Sequence, residues 1–191
     1  MTTTGWVIVA ALVGLVAYGI IIYNGLVQLK HGVSKAWSNI DVVLKQRHDE
    51  LPKLVEACKQ YMSFEKDTLT KVIEARANVK QAQSAQDMKA LGVAETSLRQ
   101  GLGNLFALAE SYPELKSNES FQQLQARISS LENTIADRRE FYNDAVNVNN
   151  VRIEQFPDVI IAKRYNFKAA DLLEFEEHEL QDVNIKSLFN S

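Results

Sequence analysis

Between Gly5 and Ile22 the sequence reads GWVIVAALVGLVAYGIII, with no residue more polar than Tyr18, and the first charged side chain is Lys30. A helix rises about 1.5 Å per residue, so about 20 residues cross a hydrocarbon core of ~30 Å. Gly5 to Asn24 has that length. Trp6 stands near one end and Tyr23 near the other, where an aromatic belt places them. Gly14 and Gly19 are tolerated in a lipid-embedded helix, where no water competes for the backbone. A cleavable signal peptide has a basic start, a shorter apolar core and a small-residue cleavage site. Met1-Thr-Thr-Thr4 carries no basic side chain, and Tyr23-Asn-Gly25 is a poor cleavage context. The run is also too long, and too apolar all round, for an ordinary core helix. The expectation is a transmembrane anchor over residues 1–29.

Basic residues set the orientation of such an anchor. The N-terminal flank has none, whereas the C-terminal flank offers Lys30, Lys35, Lys45 and Arg47, with His31 beside them. This predicts a single-pass membrane protein with its N-terminus outside and its body in the cytoplasm.

Beyond the anchor there is no glycine from Val33 to Leu91. Apolar positions recur in steps of three and four: Val33, Ala36, Trp37, Ile40, Val43, Leu44, then Leu51, Leu54, Val55, Cys58, Tyr61, Met62, and on through Leu69, Val72 and Ile73. That spacing marks the buried face of a helix continuous with the anchor. Pro52 is the interruption: it cannot donate to the carbonyl of His48, and a kink is expected there. A turn falls at Gln83–Asp87, with Asp87 as N-cap. A second helix spans about Met88 to Ser111, with Leu91, Leu98, Leu102, Leu105, Phe106 and Ala109 inward, and with Gly101 and Gly103 weakening it or allowing close contact. Tyr112-Pro113 ends it, Leu115–Asn118 is a loop, and Ser117 or Asn118 caps a third helix over Glu119–Gln155. Its inward face reads Phe121, Leu124, Ile128, Leu131, Ile135, Phe141 or Tyr142, Ala145, Val148 and Ile153. Pro157 stops it, and a helical turn follows over Asp158–Arg164.

The expected fold is thus all-α: an N-terminal transmembrane helix continuous with an antiparallel up-and-down bundle of long helices over 30–170. An acidic tail over 171–191 follows, with six acidic residues against Lys186. It reads as a solvated or loosely docked segment, with Leu172, Leu173 and Phe175 among the residues able to dock. The 191 residues suit one domain with an appendage, and 46% hydrophobic with 24% charged residues is a globular mix. Eight glycines and three prolines are few for this length, which favours long helices. A net charge of −3 gives no positive field for nucleic acid.

Specific residues carry a resemblance. Tyr23-Asn24 with Leu26-Val27, Ala36–Val42, Leu44, Arg47-His48-Asp49 and Pro52 form one block. Leu105–Pro113, Leu115–Asn118 with Phe121, Leu131-Glu132-Asn133 with Ile135-Ala136 and Arg138, Tyr142–Val146 and Phe156-Pro157 form the rest. Together they resemble the LemA family over about residues 20–175. The resemblance implies one N-terminal transmembrane helix, an antiparallel helical bundle, no established catalytic activity, and a membrane-associated accessory role, members of the family often being encoded beside membrane proteases or other envelope proteins. Asn149-Asn150 stands where many relatives carry Tyr-Asn, and the tail after Phe175 is less family-like.

Catalytic patterns are missing from the sequence. His178-Glu179-Leu-Gln-Asp182 lacks the second histidine of a zinc protease helix, and no paired Glu-x-x-His motifs exist for a di-iron bundle. Gly101-x-Gly103 lacks a third glycine, and there is neither Gly-x-Ser-x-Gly nor a phosphate loop. Cys58 is the one cysteine, which excludes an intrachain disulfide or cysteine zinc site, and its place on the apolar face marks it as a small core hydrophobe. No catalytic residue, cofactor or metal is expected. The densest polar cluster, Arg47-His48-Asp49-Glu50, has two readings: a solvated helix face, or a polar seam pairing with Asn133, Asp137 or Arg138 on the third helix. Trp37 reads as core, with Asn39 and Asp41 on other sides of the helix.

These observations point to a non-enzymatic membrane-anchored protein that acts as a homo-oligomeric scaffold, with coiled-coil-like lateral packing and small residues such as Gly14 and Ala17 between anchors. Its expected partners are membrane lipid and further copies of itself. The alternative is an adaptor or regulator of a membrane enzyme such as a protease, binding through the tail or an exposed bundle face. An enzyme with a site near His48 is a third, weaker reading.

Overall fold

The computed structural model describes residues 2–175. Among them the elements are α1 (Thr3–Lys59), α2 (Lys66–Ala85), α3 (Met88–Ala109), α4 (Pro113–Lys116), α5 (Glu119–Glu154) and α6 (Asp158–Arg164), with no strand. The fold is all-α, as the sequence predicts. The His178 cluster and the tail from 176 onward lie outside the described residues.

α1 runs unbroken for 57 residues, from the apolar stretch past Pro52 to Lys59. It is the one described helix long and apolar enough to cross a membrane, and that stretch is almost wholly unburied. The continuity expected between anchor and body is therefore present. The continuity expected beyond Lys59 is not. The chain breaks at residues 60–65, where the amides of Tyr61 and Met62 both donate to the Cys58 carbonyl at 3.0 and 2.8 Å. Met62 plugs the corner fully buried. Two side-chain bonds fasten it: Asn118 Nδ2 donates to the Tyr61 hydroxyl at 3.2 Å, and the Tyr112 hydroxyl donates to Glu65 at 3.1 Å. The helix turns on these contacts, with no glycine or proline.

The described chain forms two compact units. One comprises Val43–Thr134 with the described residues from Leu173 to Phe175. In it the end of α1 and α2 run antiparallel, because the corner at 60–65 lies midway between His48 and the Arg76 that bonds it. α2 packs along α3. Their two-residue link puts Gln86 in the left-handed region (φ 53°) and Asp87 at the N-cap, accepting from the Ala90 amide at 2.9 Å. Asn118 caps α5 in the same way, accepting from the Phe121 amide at 3.0 Å. Pro113 starts the short helix α4 at its first turn, and α4 takes in Leu115 and Lys116 from the loop expected over Leu115–Asn118. Leu44, Leu51, Leu54, Cys58, Val72, Leu91, Leu98, Leu105 and Ile128 fill the core. Each fully buried aliphatic side chain contributes roughly 1.5–3 kcal/mol.

The other unit joins α1 up to Val42 to Ile135–Leu172. Here α5 turns Tyr142, Val146, Asn149 and Ile153 inward. Phe141 and Val148, candidates for that face, are exposed, and in the first unit Ile73 is exposed as well. The buried series Phe121, Ile128, Ile135, Tyr142, Asn149 advances by seven, and Phe141 and Val148 sit one residue off it. Trp37 meets Tyr142 edge-on at 6.0 Å, a partly buried packing role. The return segment is pinned to α5 by amides. Asn150 accepts from the Ala170 amide and donates to the Ala170 carbonyl, both at 2.9 Å, and the Tyr142 hydroxyl donates to the Asp171 carbonyl at 2.9 Å.

Candidate functional site

The polar centre of the first unit forms around Arg47. α1 carries Ile40, Arg47 and Leu54 at steps of seven, so Arg47 occupies a core position between two fully buried aliphatics. Its guanidinium donates from Nη2 to Glu95 Oε1 at 2.5 Å and from Nη1 to Glu132 Oε1 at 2.7 Å. Glu95 is on α3 and Glu132 on α5, so one side chain ties three helices. Arg99 Nε stands 3.5 Å from Glu132 Oε2, and Arg127 pairs with Glu50 at 3.0 Å on the same helices. Burial works against the Arg47 charge, and the two carboxylates outweigh it, so its pKa lies above the ordinary value.

Neither reading of the Arg47–Glu50 cluster describes this centre: Arg47 is buried, not solvated, and its partners are not the α5 residues offered for a seam. His48 is half-buried, and Asp49, Asn133, Asp137 and Arg138 are exposed. Glu95 and Glu132 take the role expected of the α5 residues Asn133, Asp137 and Arg138. Glu95 was findable: Leu91, Glu95, Leu98 and Leu102 share one side of α3 by spacing. Glu132 follows a half-buried Leu131 and gives no comparable signal.

Pro52 acts through the carbonyl it frees. The His48 carbonyl lacks a proline N–H to accept from, and Arg76 Nε of α2 donates to it at 3.0 Å. Burial first, then the nearby Arg76 and Lys80, hold the His48 imidazole below its usual pKa against the pull of Asp49. Cys58 is fully buried, and burial pushes its thiol up to about 11. Among the described residues no group of three or more His, Cys, Asp and Glu side chains could hold a metal ion.

Gly92 is the close-approach glycine, a role the sequence suggests for Gly101 or Gly103. A Cβ there would stand 1.8 Å from the Glu174 carbonyl oxygen, whereas one at Gly103 would meet nothing within 4 Å. Beside Gly92 the start of the acidic tail docks: Leu173 is buried, and Arg99 stands 5.2 Å over the Phe175 ring.

In the other unit the anchor residues divide. Trp6 and Gly14 are exposed, and Gly5 is half-buried. Gly19 faces Ile161, and Ile22 is buried with Leu26, Ile153 and Ala162. Tyr23 meets Tyr165 and Phe167 edge-on at 4.9 and 5.8 Å. The upper anchor thus stands clear of protein, and its last two turns carry α6.

A long helix apolar at one end, with an α-helical body locked by a buried arginine, defines a membrane-associated structural protein. The LemA family model matches residues 36–186, and the chain belongs to the LemA family. It is similar to magnetosome protein MamQ 2 of Paramagnetospirillum magneticum, at 24% identity over 93% of this chain and 73% of that one. It is also similar to protein LemA of Metamycoplasma hominis, at 26% identity over 87% of this chain and 75% of that one. MamQ of Magnetospirillum gryphiswaldense is 22% identical over 93% and 73% of the two chains.

Proposed function

We propose that this protein is a non-enzymatic, homo-oligomeric scaffold of a bacterial inner membrane. α1 crosses the bilayer once, with the N-terminus outside and the body in the cytoplasm. The observation that carries this reading is an apolar stripe on α5. Phe141 is 63% exposed, and Val148 and Val151 are more than half exposed. Steps of seven and three put them on one side of the helix. The stripe lies alongside α1 beyond the apolar stretch, since neighbouring residues of α5 meet Trp37 and line a cleft with Lys30 and Val33. Large apolar side chains at this level face water unless another chain covers them. A second copy with its helix parallel in the same membrane brings the same stripe to the same height. The charges Lys30, Lys35, Lys45 and Arg47 after the span support the cytoplasmic side.

The test is the particle size of the full-length protein in lipid nanodiscs and mild detergent, beside Phe141→Ser/Val148→Ser and a chain starting at Lys30. Uniform oligomers that dissociate in the double variant are the expected result. Monomers throughout would overturn the scaffold and favour the adaptor for a membrane enzyme, whose acidic tail then becomes the surface to probe.

A further inference from the structure

The chain returns to its own anchor after α5. α6 buries Asp158 and Ala162 on one side, and Ile161 and Phe167 pack against the Ile22, Leu26 and Ile153 cluster. Its contacts on α1 run from Gly19 to Leu26, about 10 Å of helix axis. An apolar run entering at Gly5 reaches the far edge of a ~30 Å core about 20 residues on. An α1 that crosses in this way puts α6 at the boundary between acyl chains and headgroups.

Its other side is built for that boundary. Phe156 is 82% exposed, Ile160 58% and Tyr165 59%. Ile160, Lys163 and Arg164, at spacings of three and four, share this outward side, and both basic residues are exposed. A cleft of about 210 Å³ next to Phe167 adds Lys30 and Lys168. Exposed aromatic and aliphatic groups followed by basic ones form the pattern of an interfacial element on anionic lipid.

We infer that α6, with Phe156 and Tyr165, is a second membrane contact. It is a foot that lies in the headgroup boundary of the bilayer α1 crosses and takes anionic phospholipid. This rests on the reading of α1 as membrane-spanning. The foot gives α1 a fixed rotation, because Tyr23 and Ile22 must face α6 while Ile160 faces lipid.

Nitroxide labels test this in the full-length chain carrying Cys58→Ala, in nanodiscs of phosphatidylcholine with or without phosphatidylglycerol. Labels go at Phe156→Cys and Ile160→Cys, with Val13→Cys in the apolar stretch and Gln123→Cys on exposed α5 as references. Collision with oxygen is compared with collision with a water-soluble nickel chelate. The expected result is several-fold oxygen preference at 156 and 160, shallower than at 13 and opposite to 123, and weaker without phosphatidylglycerol. Nickel access at 160 equal to that at 123, with 13 still in lipid, overturns the foot and leaves the anchor standing. Nickel access at 13 overturns the anchor and the foot together. Low access to both reagents with dipolar broadening at 160 shows a second copy covering α6, and overturns the lipid contact. Equal values in the two bilayers overturn the anionic preference.

Discussion

Arg76 Nε donates to the His48 carbonyl oxygen across 3.0 Å, and that carbonyl is the one Pro52 leaves without a helical partner. The proline and the arginine are therefore one device shared between α1 and α2. A half-buried carbonyl without a partner costs about 1–3 kcal/mol. Arg76→Met should destabilise the protein by that amount in urea unfolding of the full-length chain in detergent. With Pro52→Ala the residue 52 amide satisfies the carbonyl, so Arg76→Met should then cost much less. Equal costs in the two backgrounds would show that the arginine acts by other contacts.

The Arg47 clamp predicts a different asymmetry. Arg47→Met leaves Glu95, 2% exposed, as a buried carboxylate without its partner. Breaking such a pair costs about 3–5 kcal/mol, whereas replacing both members with apolar groups is close to neutral. Arg47→Met/Glu95→Leu should therefore recover most of the stability lost in Arg47→Met, since Glu132 keeps Arg99. Arg47→Lys should not substitute, because one ammonium cannot present the guanidinium fork to two carboxylates. If the double variant is as unstable as the single one, the pair is not the source of the loss.

These two devices show what was legible. Apolar spacing with its flanking cap and proline signals located α1, α3 and α5, and Pro157 marked α6, to within two residues at each assigned end save the far end of α1; Asp87 announced its cap, and of Ser117 and Asn118 the structure selects Asn118. The carbonyl freed by Pro52 was legible from chemistry alone, but its partner on α2 was not. The break at 60–65 was invisible because it is held by tertiary bonds from Asn118 and Tyr112 in place of local turn residues. The same limit applies on α5: Phe141 and Tyr142 are adjacent aromatics, and only packing decides which turns in. The seven-residue series through Ile135 selects Tyr142, and the displaced Phe141 becomes part of the exposed stripe.

Gly92 and Gly103 lie on the same helix and should respond oppositely to alanine. Helix propensity alone favours alanine by roughly 0.5–1 kcal/mol at either site. At Gly103 nothing opposes it, so Gly103→Ala should stabilise by about that amount. At Gly92 the new methyl meets the Glu174 backbone, which cannot swing aside as a side-chain tip does. Gly92→Ala should cost about 1–3 kcal/mol and release Leu173 and Phe175, seen as faster amide exchange there. Stabilisation at both positions would mean that the segment near Glu174 does not lie against α3.

Cys58 should report on the opening of the first unit. With its thiol pushed up to about 11 from 9.0, the fraction ionised at neutral pH is about a hundredfold lower than in the unfolded chain. Thiolate is the reacting form, so burial and protonation act in the same direction. Iodoacetamide should modify the folded full-length protein at least ~100-fold more slowly than the urea-unfolded chain at pH 7. As pH rises, the unfolded rate levels near 9 while any direct reaction of the folded thiol keeps climbing toward 11. The linkage has a definite sign. A thiol whose pKa is raised by folding contributes its full stability below pH 9 and loses it as pH rises toward about 11. Cys58→Ala should therefore flatten the alkaline limb of the stability profile, apart from the offset of its cavity. A folded-state rate within a few-fold of the unfolded one would mean that α1 does not carry Cys58 into the core.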